Sequence, residues 1–494
     1  MDSIRLMNYR CFEDTGTINI KPINLLVGAN SSGKSSFLKF FPLLKQSNGL
    51  RLNGVFLWLG SNVDFKDFNN TVQVGKKSIS IEYTIDSLPV FRRYSASRSI
   101  IKNVKVRFTI VPVDEHFDRI SEIVVNYPDT NVCIKIIDEE NVRLIVNEDY
   151  SESIKELKIR TQNADAILPR LLFKYKSDVN HGWSMYPLIY MQKIMGTANR
   201  LGGGFENRTS ANVFECLPSD ITSFTKGVNG IGRQLVDPEI IKDLYAKSVI
   251  FNVNTLLDSL NIDLIRLSQS MVYVKPIRAT IERYYRFQNL DMDEIDPDGS
   301  NLPMFLYNLE KPVMEEFNKW LSDNFKFRIK IKPSEGHIEL LVSESKKEFR
   351  NTVDLGFGYT QMLPILAIIW KTVFLDSDKA ERKGDKTLEH IVIIEQPELH
   401  LHPRFQAKFA RTLSVLARLR NDIGIDVRFI VETHSETILN ILGEQIEDGI
   451  ITVNDVNLLL TEQDKNGIST IRSTSFNNEG FIEDWPRNFF EDAD

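Results

Sequence analysis

Three observations predict an α/β fold, in which a mixed sheet carries helices and an antiparallel β lobe. A short apolar strand, Ile23-Asn24-Leu25-Leu26-Val27, runs directly into Gly28-Ala29-Asn30-Ser31-Ser32-Gly33-Lys34-Ser35. Ser36 to Lys45 then places Phe37, Phe41 and Leu44 at helical spacing. Far downstream, apolar strands at 390–394 and 427–431 enclose a helix-patterned stretch at 404–419. Strands alternating with helices argue for a parallel core sheet. The loop has the form G-x-x-x-x-G-K-[ST], and its strand–turn–helix context aims backbone N–H groups and a helix N-terminus at one point. That is an anion site suited to phosphate. Gly28 and Gly33 permit the turn, and Asn30, Ser31, Ser32 and Ser36 line it. Lys34 has the reach for β- and γ-phosphates, and the Ser35 hydroxyl suits Mg²⁺.

Composition narrows the classes. The chain has 494 residues, 42% hydrophobic and 26% charged, with a net charge of −7. A large core is affordable at this length, and a uniformly basic nucleic-acid coat is excluded. Cys11, Cys133 and Cys216 share no metal-ligand spacing and form no disulfide framework, which favours a reducing compartment. The longest apolar run, Met362 to Trp370, contains Pro364 and is too short to span a bilayer. No signal segment is seen, and with the loop this close to Met1 no earlier domain is expected. The expectation is a cytoplasmic protein without a membrane partner.

In chain order, residues 3–20 alternate as a β-hairpin around Glu13-Asp14-Thr15-Gly16. Loops are expected at 54–70, and antiparallel strands repeatedly from Ile79 to Val146. Gly202-Gly203-Gly204 reads as an exposed loop. Helices are predicted at 238–267, 312–324 and 359–375, and strands at 327–331 and 337–342. The charged stretch 377–386 reads as a loop. No heptad run or repeat is present.

The second half of the site follows from the later strands. His390 to Ile394 ends in Glu395-Gln396-Pro397-Glu398-Leu399-His400-Leu401-His402-Pro403. A carboxylate leaving the C-terminal end of a parallel strand is placed to hold Mg²⁺ and orient water. Phe429-Ile430-Val431-Glu432-Thr433-His434-Ser435 repeats the pattern with His434 at the tip. Asp354-Leu355-Gly356-Phe357-Gly358-Tyr359-Thr360-Gln361 is a Gly-containing turn opening a buried helix. His400 and His402 lack a Cys or Asp cluster and read as structural. Phe91 to Phe108 collects Arg92, Arg93, Arg98, Lys102, Lys105 and Arg107 without an acid, most simply as a solvated sheet face. Arg278, Arg283 and Arg286 alternate with Tyr284 and Tyr285, a pattern that could stack bases or support the site. The acidic tail is expected to pack Trp485, Phe489 and Phe490 inward.

Taken together these segments resemble ABC-type ATPase heads of the SMC- and OLD-like kind, in a bacterial, defence-associated subgroup. Walker A is 28–35, a signature-like segment 354–361, Walker B 391–398, and the switch histidine His434. The resemblance also covers Leu52-Asn53-Gly54, Pro276-Ile277-Arg278-Ala279 and Asp484-Trp485-Pro486. It implies ATP and Mg²⁺ as cofactors, with Ser35 and Glu395 on the metal and Glu395, Glu398 and His434 catalytic. It further implies that Gly356, Gly358, Thr360 and Gln361 close on the nucleotide of a second copy, making an ATP-dependent homodimer or higher oligomer. The head would be 1–85 with 341–494, and 86–340 an inserted α+β domain. Gln396 stands where the family's catalytic glutamate is usual and cannot take a proton from water, so slow hydrolysis is expected. Gln46 and Gln73 are both candidates for the Q-loop. By this resemblance the protein is the ATPase sensor of an antiphage system, controlling a separate nuclease or toxin. The competing implication is a RecF-like repair ATPase with duplex DNA as its partner.

Overall fold

The computed structural model describes the chain except residues 51, 92–97, 115, 155–156, 161–165, 177–180, 201–213, 215, 232–236, 277, 279–281, 288–291, 345–347, 356, 377–388, 424 and 486–494. The expected features at Gly202-Gly203-Gly204, Gly356, 377–386, Arg92, Arg93, Phe489 and Phe490 lie outside the described residues. The chain divides into two compact units, Met1–Asn19 with Leu43–Gln269, and Ile20–Pro42 with Ser270–Asp494. This division falls elsewhere than 85 and 340. The N-terminal strand belongs with the β lobe because it pairs residue for residue with Ile79–Phe91, and the residues after 270 belong with the phosphate loop.

The first unit is organised by an antiparallel sheet. In chain order it contains β1 (Ser3–Tyr9), β2 (Phe12–Asp14) and β3 (Ile18–Asn19). After β4 (Ile23–Gly28), which belongs to the second unit, come β5 (Ile79–Phe91), β6 (Arg98–Pro112) and β7 (Asp118–Tyr127). They are followed by β8 (Thr130–Ile136), β9 (Val142–Val146) and β10 (Tyr150–Ile154). The order is β10-β9-β8-β7-β6-β5-β1-β2, with β3 on β1. From Val104 onward alternation is clean: Val104, Val106, Phe108 and Ile110 are buried along β6 while Lys105, Arg107 and Thr109 between them are partly exposed. Period-2 burial of this kind fixes register, since a one-residue slip would expose every apolar side chain. A small sheet, β11 (Leu157–Arg160), β12 (Arg170–Lys176) and β13 (His181–Ser184), joins it. The helix expected at 238–267 is two, Pro238–Phe251 and Val253–Ser270. Asp237 caps the first by accepting from Glu239 N–H, with Pro238 opening the first turn.

The second unit is a mixed sheet with helices. Its further strands are β14 (Met271–Val274), β15 (Tyr285–Arg286), β16 (Phe327–Ser334), β17 (His337–Glu344) and β18 (Arg350–Asn351). Then come β19 (Glu389–Glu395), β20 (Asp426–Glu432), β21 (Val456–Gln463) and β22 (Ser469–Thr474). The order β22-β21-β4-β20-β19-β14 is parallel from β21 to β14, with β22 antiparallel at its end. The central strands β4, β19 and β20 are almost wholly buried, which explains their unbroken apolar runs. A second sheet, β15-β17-β16 with β18 on β17, lies in the same unit. The apolar helix spans Phe357–Trp370 and continues as a π-helix over Lys371–Asp376. The stretch Gly358–Asp376 is long and apolar enough to cross a membrane, yet most of it is buried, among Phe317, Phe409 and Val392 of the core. Trp485 packs against that core as expected.

Candidate nucleotide site

The phosphate loop leaves the C-terminal end of β4 and enters a short helix, Lys34–Leu38, whose Phe37 and Leu38 anchor it in the core. Ser31 and the cap residue Gly33 take positive φ, 65° and 108°, so the chain reverses within the loop. Gly28 is required by proximity: a Cβ there would lie 2.3 Å from Thr461 Oγ1 and 2.4 Å from its carbonyl oxygen. Thr461 on β21 sits opposite Gly28 and hydrogen-bonds Ser32 Oγ at 2.6 Å, pinning the loop from its flank. Lys34 is 3% exposed and donates to the carbonyls of Gly28 (2.9 Å) and Ala29 (2.6 Å). Burial lowers its pKa, and the Glu432 and Glu398 carboxylates oppose the shift.

Three carboxylates gather at the neighbouring strand ends. Glu395 and Glu432 are register partners on β19 and β20, so their side chains leave adjacent parallel strands at one edge. Ser35 Oγ donates to both oxygens of Glu432, at 2.9 and 2.8 Å. Glu395 accepts instead from Tyr273 Oη at 2.7 Å. Glu398 accepts from Thr433 Oγ1 (2.8 Å) and from the His434 backbone N–H (2.7 Å), so both its oxygens fix the turn that carries His434. Burial raises all three pKa values. For Glu432, where the Glu395 charge adds to burial, the value is about 7. His434 is exposed, and partial desolvation and the Lys34 charge hold it below the ordinary histidine value, so the ring is neutral at pH 7. Its backbone is set by Ser435, which caps Glu436–Glu447 by accepting from Ile438 N–H.

Gln396 adopts a left-handed conformation, φ 44°, as its N–H reaches back to the Glu432 carbonyl at 2.8 Å. Arg278, 3% exposed, closes this turn from behind by donating Nη2 to the carbonyls of Glu395 (3.1 Å) and Gln396 (3.3 Å). Burial depresses its pKa to about 10. Arg278 therefore supports the turn that follows β19.

The oxygen donors fit a hard divalent cation. Ser35 and the buried carboxyls of Glu395 and Glu432 present oxygen donors, with no ion pair to either carboxyl among the described residues, and Mg²⁺ characteristically takes one or two carboxylates plus substrate phosphates. Among the described residues no three His, Cys, Asp or Glu side chains could hold a metal by themselves. This suits a cation that arrives with its phosphates. His402 caps the following helix, its Nδ1 accepting from Arg404 N–H at 3.2 Å.

Some expected site residues are placed differently. Thr360 and Gln361 are 6% and 8% exposed within the apolar helix, so neither side chain faces outward. Their helix positions turn them toward the core, whereas Gly358 is half-exposed. Gln46 spends its amide on loop 57–63, donating to Leu57 and Val63 carbonyls and accepting from Asn62 and Val63 N–H. Gln73 is buried with Oε1 unpartnered. Sequence reading did not single out Glu432, Tyr273 or Thr461 as site residues. For Glu432 a signal existed: a carboxylate ending an apolar strand, as Glu395 does.

The chain matches the family model described as AAA ATPase domain over residues 1–439. No curated protein matches it. Among solved structures it is similar to an SMC head bound to the C-winged helix domain of ScpA, at 8% identity over 96% of this chain and 97% of that one, TM-score 0.37. An SMC head domain with an extended coiled coil, bound to the C-terminal domain of ScpA derived from Pyrococcus furiosus, gives 10% identity over 96% of each chain, TM-score 0.36. The SMC head domain from Thermotoga maritima gives 11% over 95% and 97%, TM-score 0.35. With the family model matched over most of its length, this chain belongs to the AAA ATPase domain family.

Proposed function

We propose that this protein binds ATP with Mg²⁺, hydrolyses it slowly, and uses the nucleotide to join two copies of itself and so control a separate effector. The observation that carries the nucleotide reading is the convergence of Lys34, Ser35, Glu395, Glu432 and His434 at the C-terminal edge of β4, β19 and β20. Lys34 and the loop N–H groups meet phosphate charge, and Ser35, Glu395 and Glu432 would hold Mg²⁺. Bound Mg²⁺ would supply charge neutralisation at the transferring phosphate. Glu398 keeps His434 at the edge, and neutral His434 is available to hydrogen-bond a phosphate oxygen. Gln396 has no basic oxygen to accept a proton, which supports slow turnover. Because ligand that binds only the joined form stabilises joining, ATP affinity and association are linked. As placed, a second copy would meet the nucleotide through Gly358 and its helix backbone, not through Thr360 or Gln361.

The effector reading rests on the resemblance of Glu395–Pro403 and Glu432–Glu436 to defence-associated ATPases. It names a nuclease or toxin subunit as partner and the bacterial cytoplasm as location. The test is affinity purification of tagged protein from its native cells with ATP and Mg²⁺, followed by mass spectrometry. A nuclease- or toxin-like protein at fixed stoichiometry, lost in Lys34→Ala, is the expected result. Recovery of repair proteins or DNA alone would replace this reading with a RecF-like one.

A further inference from the structure

The small sheet of the second unit has two unlike faces. Phe327, Ile329, Ile338, Leu340 and Val342 are buried on one. On the other, Arg328, Lys330 and Lys332 of β16 are exposed at alternate positions. Alternate residues on a strand lie about 7 Å apart on the same side. Register carries the face across β17 to β15: Lys332 opposes Glu339, and His337 opposes Arg286. Arg286 and His337 are exposed, and Tyr284, 51% exposed, sets its ring edge-on to His337 at 6.4 Å between centroids. Glu339 neutralises Lys332 at 3.2 Å. Arg328, Lys330 and Arg286 have no ion pair among the described residues.

We infer that this face, Arg328-Lys330-Lys332 with Arg286 and Tyr284, binds single-stranded nucleic acid. A cationic row that tracks a phosphate backbone, beside an aromatic ring open to stack a base, is the chemistry of sequence-tolerant single-strand binding. Cations on β16 alone would be explained as protection of an edge strand. Arg286 and Tyr284 stand at the opposite edge, on and beside β15, with His337 on β17 between, so the basic and aromatic side chains extend across the whole face and not along one edge alone. The cluster also runs against the chain's net charge of −7, so it is a local feature and not an average one. A duplex hides its base faces and would leave Tyr284 unused. The inference does not depend on ATP binding.

The experiment is fluorescence anisotropy of the full chain with a labelled oligodeoxythymidine of about 16 nucleotides, over a salt series. The three cations without an ion pair, Arg328, Lys330 and Arg286, predict a slope of log affinity against log salt near −2 (about −0.7 for each). Arg328→Gln/Lys330→Gln/Lys332→Gln should reduce that slope to about −1 and weaken binding at least tenfold at about 0.1 M salt. Tyr284→Ala should weaken binding roughly 5- to 100-fold with the slope kept. A control with the same charge change elsewhere, Lys66→Gln/Lys311→Gln/Lys319→Gln, should leave both unchanged. Salt-independent binding, equal loss in the control, or duplex binding as tight as single-strand binding and indifferent to Tyr284→Ala would each overturn the inference.

Discussion

The ion pairs that hold acidic side chains in the sheet of the first unit have no counterpart at the strand edge of the second, although the first unit also buries Asp118 with hydrogen bonds alone, from Trp58 Nε1–H and Val55 N–H. In the first, Glu82 is 6% exposed and lies 2.7 Å from Lys105 and 4.0 Å from Arg5, while Asp14 takes a two-armed contact from Arg5 that lowers its pKa. Those charges are compensated within the sheet. In the second, Glu395, Glu398 and Glu432 make no ion pair among the described residues, and burial raises all three pKa values. Buried carboxyls without a cationic partner cost stability when charged, and a cluster of them at one strand edge supports the proposed binding of a cation and a nucleotide there. Buried carboxylates serve architecture in the first unit, and we propose that Glu395 and Glu432 of the second serve binding.

That contrast can be broken at its centre. Lys34→Ala should weaken ATP binding about a thousandfold, roughly 4 kcal/mol, since a buried ammonium facing phosphates is lost; calorimetric titration reads it directly. Next comes pH. Glu432 has a pKa of about 7 in the folded chain against 4.5 unfolded. A raised carboxylate pKa means the folded state binds the proton more tightly. Its stabilising protonation is therefore complete below about pH 4.5 and lost as pH rises through 7. Denaturation of the nucleotide-free chain should show stability falling by up to about 3 kcal/mol across that window from this group, with Glu395 and Glu398 acting in the same direction. Glu432→Gln should flatten the fall; an unchanged profile would remove the charge-strain account.

Smaller effects sharpen the comparison. Gln396→Glu restores a proton acceptor and should raise phosphate release at least tenfold, measured by single-turnover assay. If the rate does not move, Gln396 is not what limits hydrolysis. In the first unit Glu82→Gln should cost about 1 kcal/mol in urea melts, because Lys105 is partly solvated, while ATP affinity stays within about twofold. A large loss of ATP binding from that substitution would erase the distinction between the units.

Much of this was legible in the sequence where local pattern and long-range structure agree. The loop announces itself through Gly28, Gly33 and Lys34, and the buried strands through unbroken apolar runs at 23–27, 390–394 and 427–431. What sequence could not show was which strand lies beside which. Ser35 was matched to Glu395 by motif order, yet β20 stands between β4 and β19, so Glu432 reaches Ser35 first. Thr461 was invisible for the same reason: its role comes from β21 pairing with β4. Thr360 and Gln361 sit in a helix with little amphipathic contrast, so periodicity could not tell which side faces the core. The unit boundary at 270 likewise follows from pairing of β14 with β19, a contact that leaves no local trace.

The most direct test is ATP affinity of Glu432→Gln and wild type, each with and without Mg²⁺. The account predicts that Mg²⁺ strengthens binding to wild type and that Glu432→Gln loses at least tenfold of the Mg²⁺-dependent part, while metal-free binding is kept or improved. Equal affinities for the two chains with Mg²⁺ present would contradict the claim that this buried carboxylate edge is built for a metal-bound nucleotide.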